Sequence, residues 1–181
     1  MNCWKTINFH KEFGLTRIYS ISLLVGLVAF IFLYVPLSIV HGTPNMNKNG
    51  IIPFGLLLIL LPGIHSFMHI LPLIITNKRA KMNEKAKKFA LPSLTYYPAS
   101  RLSKQLSVLV ALAPTFFLTL PGIIASYVLI DYDVYILLIT AFHIGISFTD
   151  FLYIIHLTKA PKQAVIENEN GGFAILIKAQ E

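Results

Sequence analysis

The chain has 181 residues, of which 55% are apolar and 13% charged, whereas an ordinary soluble domain has roughly 45–50% apolar and 25% charged residues. Its mean hydropathy of +0.68 implies more apolar surface than one core of this size can bury, so the composition excludes a conventional soluble domain. The formal charge of +7 comes from basic residues that flank apolar segments, which favours an acidic membrane surface over nucleic acid as the partner. With Cys3 as its single cysteine, the chain has no disulfide framework.

Four apolar segments are each long enough to cross a bilayer, which takes about 20 residues in a helix. They comprise residues 18–40, 51–76, 106–130 and 134–157. We therefore predict one multi-pass membrane domain, residues 1–181, in the all-α class with four transmembrane helices. The first segment is longer than the roughly 7–15 apolar residues of a signal peptide and no small-residue cleavage site follows it, so we predict that it is retained.

The basic residues predict the orientation of these helices. Before the first span, between the second and third, and after the fourth lie Lys5, Lys11, Arg17, Lys78, Arg79, Lys81, Lys85, Lys87, Lys88, Arg101, Lys104, Lys159, Lys162 and Lys178. Only Lys48 lies in the other connections. The positive-inside rule then predicts both termini in the cytoplasm, with the protein in the cell membrane.

Prolines predict kinks within two of the spans, since each removes a backbone hydrogen bond: Pro62 and Pro72 in the second span, Pro114 and Pro121 in the third. The cytoplasmic loop of residues 77–105 opens with a basic stretch suited to anionic lipid headgroups. Its second half is expected to be extended.

The tail after the fourth span predicts a small cytoplasmic β-hairpin. Residues 163–179 contain two short apolar runs separated by Asn168-Glu-Asn-Gly-Gly172, and asparagine and glycine favour a turn because they tolerate positive φ. Since an isolated hairpin is marginally stable, we expect it to pack against the basic loop or the membrane face.

Three polar side chains stand out because lipid excludes such groups. His65 and His69 are four residues apart on the second span and share a helix face, and Asp150 is the only acidic residue inside any span. His69 and Asp150 each lie about 12 Å from the cytoplasmic end, at 1.5 Å per residue, so they occupy one level. Two histidines and a carboxylate supply three ligands for tetrahedral Zn²⁺, with the fourth position open.

Other interpretations of the same residues remain. The fourth span carries a polar stripe of Thr140, His143, Ser147 and Asp150 that faces the bundle. The histidines and Asp150 are also compatible with a purely structural hydrogen-bond network, or with a proton or ion pathway. His143, about 10 Å farther from the cytoplasm than Asp150 by helical rise, is interpreted as a bundle contact. We assign no role to His10, His41 or His156, which lie outside or at the ends of the spans.

The segment from Leu61 to Pro72 resembles a degraded H-E-x-x-H helix of small bacterial membrane zincins, a family known as domain of unknown function 3267. Residues 101–104 followed by 111–114 are similar to the start of its third helix. Residues 143–161, with Phe148-Thr-Asp-Phe151, and the turn at 171–173 are similar to its C-terminal third. The family resembles site-2 proteases, which hold zinc through two histidines and a distant aspartate. This implies His65, His69 and Asp150 as zinc ligands.

Two positions depart from the family pattern. Ser66 stands where the family has the glutamate of H-E-x-x-H, and Thr149 stands where it commonly has glycine. In such enzymes zinc activates a water molecule, and the glutamate takes its proton and delivers it to the leaving amine. Serine cannot hold that proton at neutral pH. As a nucleophile, Ser66 lacks a lysine or a recognisable triad within the spans.

The predicted function is therefore a metal-binding but catalytically impaired member of this family, which binds or regulates a membrane protein or peptide. The alternatives are an active but unconventional intramembrane zinc metalloprotease and a small ion or proton transporter. Besides the lipid bilayer, the expected partner is a membrane protein or peptide, with no nucleic acid.

Overall fold

Helical runs make up most of the molecule in the computed structural model, which describes residues 2–42, 47–76, 80–82, 96–98, 101–169 and 172–177. A strand, β1 (Asn2–Ile7), and a short helix, α1 (Phe9–Phe13), precede the first long helix, α2 (Leu15–His41). A 3₁₀ turn then leads into the second run, which consists of α3 (Ile51–Met68) and α4 (Ile70–Ile75).

The third and fourth runs are each built from several pieces. The third consists of α5 (Lys104–Pro114), one π-helical segment (Thr115–Thr119) and α6 (Leu120–Val128). The fourth consists of α7 (Asp133–Ile146) and α8 (Phe148–Thr158), which meet at a bend of 43°.

Length and composition make three of these runs candidates for crossing a membrane, and a fourth if α7 and α8 count as one span. The three straight candidates are Leu15–His41, Lys48–Ile75 and Lys104–Val128. Large apolar side chains on their surfaces are widely exposed, with Ile52 at 82% and Ile39 at 78%. The fold is thus mostly helical, with three to four apolar spans as the sequence predicts.

The prolines affect the helices unequally. Helix α3 continues through Pro62 and ends at Met68, whose carbonyl loses its helical donor because Pro72 has no N–H. The π-helical segment begins directly after Pro114. Pro121 lies in the first turn of α6, directly after the π-helical segment, and the helical run continues through it to Val128. The bend before α8 falls at Ser147, without a proline, and the sequence does not predict it.

The predicted C-terminal hairpin is confirmed and belongs to a larger sheet. Strands β5 (Val165–Glu169) and β6 (Gly172–Ile177) pair in antiparallel fashion, and β4 (Leu102–Ser103) adds to β5. On the other side of β6 lies β1, in a register that pairs Ile7 with Phe173. The strand order is β1-β6-β5-β4; β1 is not predicted from the sequence, whereas β4 lies in the half of the loop that is expected to be extended.

This four-stranded sheet collects three distant parts of the chain at one end of the helices. It joins the segment before α2, the start of α5 and the segment after α8. Helices α3–α4 and α7–α8 therefore return toward the sheet, so that successive helical runs alternate in direction. In the predicted basic loop the described residues form a second strand pair, β2 (Ala80–Met82) with β3 (Tyr96–Pro98). In the half of that loop predicted to be extended, β3 and β4 are strands, and residues 91–95 and 99–100 lie outside the described residues.

An apolar core lies between the sheet and the adjoining helix ends. Its buried members come from β1, α1, α2, α8, β5 and β6, and they include Ile7, Phe9, Ile18, Leu157, Ile166, Phe173 and Ile175. Farther along the bundle α2 packs closely on α7 at Gly26 and Gly145. A Cβ atom on Gly145 would lie 2.7 Å from the Ser22 carbonyl oxygen, so only glycine permits this approach.

Candidate metal centre

His65, His69 and Asp150 converge inside the bundle. One ligand atom of each lies within 4.8 Å of those of the other two. The Nε2 atoms of the two histidines are 3.4 Å apart. His65 Nε2 lies 3.3 Å from Asp150 Oδ2, and His69 Nε2 lies 3.6 Å from Asp150 Oδ1. All three side chains are buried, with His65 at 0% exposure. The three residues that sequence spacing places at one level therefore form one cluster.

The helix ends position these side chains. His65 lies in the last turn of α3, and His69 occupies the junction between α3 and α4, so the spacing of four residues keeps both imidazoles on one face. Asp150 lies in the first turn of α8, directly after the bend at Ser147, whose carbonyl accepts the Asp150 N–H at 3.0 Å. The positive end of the α8 dipole favours a carboxylate there.

The carbonyl of Val110 determines which ring nitrogen of His69 carries the proton. Its Nδ1 donates to the carbonyl oxygen of Val110 at 2.8 Å, and a carbonyl can only accept. That carbonyl is available because the helical donor four residues later would be Pro114, which has no N–H. The Nε2 lone pair of His69 therefore points into the cluster, and its other nitrogen has the carbonyl partner typical of a metal-ligating histidine.

His65 is held from its outer side by residues of two other elements. Its Nδ1 lies 3.1 Å from Nε2 of His143 on α7. Nδ1 of His143 in turn lies 2.9 Å from the hydroxyl of Thr119, the last residue of the π-helical segment. His143 thus contacts the outer side of His65 and is not itself one of the three candidate ligands. This placement is in line with the bundle contact that the sequence predicts.

The donor set fits a divalent cation such as zinc. Two imidazole nitrogens and a carboxylate are the three-ligand pattern of open zinc sites. Asp150 Oδ2 is buried and accepts no hydrogen bond within the described part of the chain, and a buried carboxylate oxygen needs such a partner or a cation. His65, His69 and Asp150 would hold the ion, and zinc would polarise a carbonyl and activate water there.

Ser66 lies between the two histidines on α3. It is 3% exposed, and its Oγ donates to the carbonyl oxygen of Pro62 at 3.0 Å, the backbone bond that mid-helix serines commonly make. The cluster holds one carboxylate, Asp150, which is itself a candidate ligand. Within the described ranges, the geometry therefore provides metal ligands without a separate carboxylate to serve as general base.

A second buried histidine–aspartate pair lies at the opposite end of the bundle. His41 Nδ1 and Asp133 Oδ2 are 3.3 Å apart, with each side chain about one-tenth exposed, and the ring of Tyr127 meets the edge of His41. This pair joins the end of α2 to the start of α7. The sequence analysis assigns His41 no role, although both residues lie at span ends on the same predicted side. His156 bonds to its own helix at the Leu152 carbonyl.

The comparisons with known proteins give one match. No curated protein and no solved structure matches the chain. A family model, DUF3267, described as "Putative zincin peptidase", matches residues 58–165. This stretch is more than half of the chain, and it contains His65, Ser66, His69 and Asp150. The chain therefore belongs to the DUF3267 family of zincin peptidases.

Proposed function

We propose that this protein is an integral membrane protein that binds zinc through His65, His69 and Asp150 and recognises a membrane protein or peptide without cleaving it. The observation that carries the proposal is the composition of the buried cluster. It combines three ligands with suitable geometry and a serine whose hydroxyl is bonded to helix backbone. Such a site retains the means to hold a cation and a bound carbonyl, and lacks the proton carrier for peptide hydrolysis.

The membrane part of the proposal is supported by the exposed apolar surface and the sheet. Side chains such as Phe32 and Ile59, both at least three-quarters exposed, are costly in water at about 25 cal/mol per Å² and stable in lipid. The sheet lies at the end of the bundle with Arg101 and Lys104, whereas Lys48 precedes α3 at the other end. We assign the sheet end, with both termini, to the cytoplasm of a bacterial cell.

Cys3 offers a direct test of this orientation, since it is the single cysteine and is exposed on β1. A membrane-impermeant maleimide is expected to label Cys3 in inverted membrane vesicles and to leave it unlabelled in intact spheroplasts. The double variant Cys3→Ser/Lys48→Cys is the matched control, and its labelling pattern is expected to be reversed. Labelling of Cys3 in intact spheroplasts would contradict the assigned orientation, and extraction of the protein by carbonate would contradict membrane integration.

Crosslinking in native membranes distinguishes binding from cleavage. A photo-reactive amino acid at an exposed position of α4, Ile74 or Ile75, is expected to capture the same full-length partner in the wild type and in Ser66→Ala. The reason is that, among the described residues, neither protein has a carboxylate beside the cluster other than the candidate ligand Asp150 to act as a base. The mass of the crosslinked partner is the measurement.

His65→Ala serves as the reference for that comparison. A partner that is shortened in the wild type and full-length in His65→Ala would overturn the proposal in favour of a protease. Liposomes containing the purified protein provide the second check, because ion or proton flux that disappears in Asp150→Asn would favour a transporter.

A further inference from the structure

A chain of buried hydrogen bonds extends from the metal cluster toward the middle of the bundle. It runs from His65 on α3 through His143 on α7 to Thr119 after α5. His65 and His143 are at most 1% exposed, and Thr119 is 6% exposed. Three separate parts of the chain therefore meet in a dry environment, where each ring nitrogen needs a defined partner.

Two arrangements of the protons satisfy this chain. In the first, His65 Nδ1–H donates to His143 Nε2, and His143 Nδ1–H donates to the Thr119 oxygen. In the second, every proton is reversed: the Thr119 hydroxyl donates to His143 Nδ1, His143 Nε2–H donates to His65 Nδ1, and the proton of His65 sits on Nε2. Only the first arrangement leaves the Nε2 lone pair of His65 free to ligate a cation.

A cation bound in the cluster favours the first arrangement. His69 carries its proton on Nδ1, because it donates to the Val110 carbonyl. The Nε2 lone pair of His69 and Asp150 Oδ2 are therefore acceptors that lie 3.4 Å and 3.3 Å from His65 Nε2, and Asp150 Oδ1 lies 3.6 Å from His69 Nε2. A single proton on His65 Nε2, shared at those distances, leaves Asp150 Oδ2 without a hydrogen bond. A cation held by Nε2 of both histidines and by Asp150 would satisfy both lone pairs and the carboxylate.

We propose that His143 and Thr119 are positioning residues of the metal centre, which hold the proton of His65 on Nδ1 and so turn the Nε2 lone pair toward the cation. This inference rests on the proposed zinc site and adds two residues that do not touch the ion. Outer partners of this kind commonly change metal affinity by about 10- to 100-fold when they are removed.

Thr119→Val removes the acceptor at nearly constant volume. His143 then has no acceptor for its Nδ1–H, so the proton of His143 moves to Nε2. Two N–H groups would then face each other between His143 Nε2 and His65 Nδ1, which disfavours the proton of His65 on Nδ1. We expect the zinc Kd to rise by about 10-fold, the lower end of the range for outer partners, measured by competition with a chromophoric chelator. Thr119→Ser retains the hydroxyl and is expected to bind zinc as the wild type does. Thr140→Val is the matched control, since this equally buried threonine of α7 donates to its own helix at Ile136.

A second pair of variants addresses His143 directly. His143→Leu removes the acceptor for His65, and we expect the zinc Kd to rise by about 10- to 100-fold. In His143→Gln the amide oxygen can accept from His65 while the amide N–H₂ donates to Thr119, so much of the affinity is expected to return. This rescue separates positioning from packing, because leucine fills the site without a polar group.

¹⁵N NMR of histidine-labelled protein reports the tautomer itself. We expect the proton of His65 on Nδ1 in the zinc-loaded wild type, where Nε2 ligates the ion. A proton on Nε2, or a folded Thr119→Val variant with wild-type zinc affinity, would overturn the inference. A wild type that has its proton on Nδ1 and takes up no zinc would instead overturn the proposed function and leave the hydrogen-bond chain intact.

Discussion

Asp150→Asn is expected to lower zinc affinity by roughly 10²- to 10³-fold, which corresponds to about 3–4 kcal/mol and lies within the cost of removing one partner from a buried charge pair. The substitution keeps the shape of the side chain and removes its charge. The cation would then lie among two neutral imidazoles and a neutral amide, with no carboxylate among these three ligands to offset its charge in a buried site. Zinc content per chain, by elemental analysis of detergent-purified protein, is expected to fall from about one to near zero, because a catalytic-type site is held by three protein ligands.

The fold offers a closely matched control for this variant. Asp133 is also 7% exposed, lies 3.3 Å from a histidine nitrogen and lies in the first turn of α7, as Asp150 lies in the first turn of α8. Its partner His41 is the single histidine beside it, so Asp133→Asn is expected to leave zinc content unchanged. Equal zinc loss in both variants would indicate general damage to the bundle, and full zinc content in Asp150→Asn would exclude Asp150 as a ligand.

Ser66→Glu is expected to raise peptide hydrolysis by roughly 10²- to 10⁴-fold over the wild type, the usual contribution of general acid–base catalysis. A glutamate at this position restores the H-E-x-x-H pattern between the two histidines. It would take the proton of the attacking water and pass it to the leaving amine, which the Ser66 hydroxyl cannot do. The measurement is release of fluorescent peptides from labelled casein by zinc-loaded protein in detergent.

Two variants separate the proton-transfer role of glutamate from its size. Ser66→Gln places a side chain of the same shape in the buried position and is expected to remain as inactive as the wild type. Ser66→Glu/His65→Ala has the carboxylate and lacks a zinc ligand, and it is also expected to be inactive. If Ser66→Glu binds zinc normally and casein stays intact, the missing glutamate is not what limits hydrolysis. Rapid hydrolysis by the wild type would contradict catalytic impairment itself.

The family relationship and the site together narrow the interpretation of the polar residues. A purely structural network, one of the alternatives left open by the sequence, would place a proton between the acceptors of the cluster. The Val110 carbonyl fixes the proton of His69 on the side away from His65, and Asp150 Oδ2 accepts no bond from any described residue. A proton on His65 Nε2 joins the two histidines at 3.4 Å and leaves that carboxylate oxygen unsatisfied, whereas a cation would satisfy it, which supports the proposed metal site.

Local patterns in the sequence were sufficient for the elements that depend on neighbouring residues. Long apolar runs predict the spans because helical length and lipid thickness are both set by residue count. The Asn-Gly turn predicts the hairpin of β5 and β6, since the turn and its flanking strands are adjacent in the chain. His65 and His69 share a face by helical periodicity alone, and equal depth from the cytoplasmic end was enough to bring Asp150 to their level.

Contacts between distant segments were decided only by the tertiary structure. Strand β1 pairs with β6, although the two strands lie near opposite ends of the sequence. The bend at Ser147 occurs without a proline, so the sequence does not predict it. The approach of His143 to His65 and of Val110 to His69 depends on how each helix is rotated about its axis. A run of apolar residues leaves that rotation undetermined, because every face of such a helix is acceptable to lipid. Close packing at Gly26 and Gly145, together with the carbonyl released by Pro114, selects one rotation, and so determines which polar groups meet.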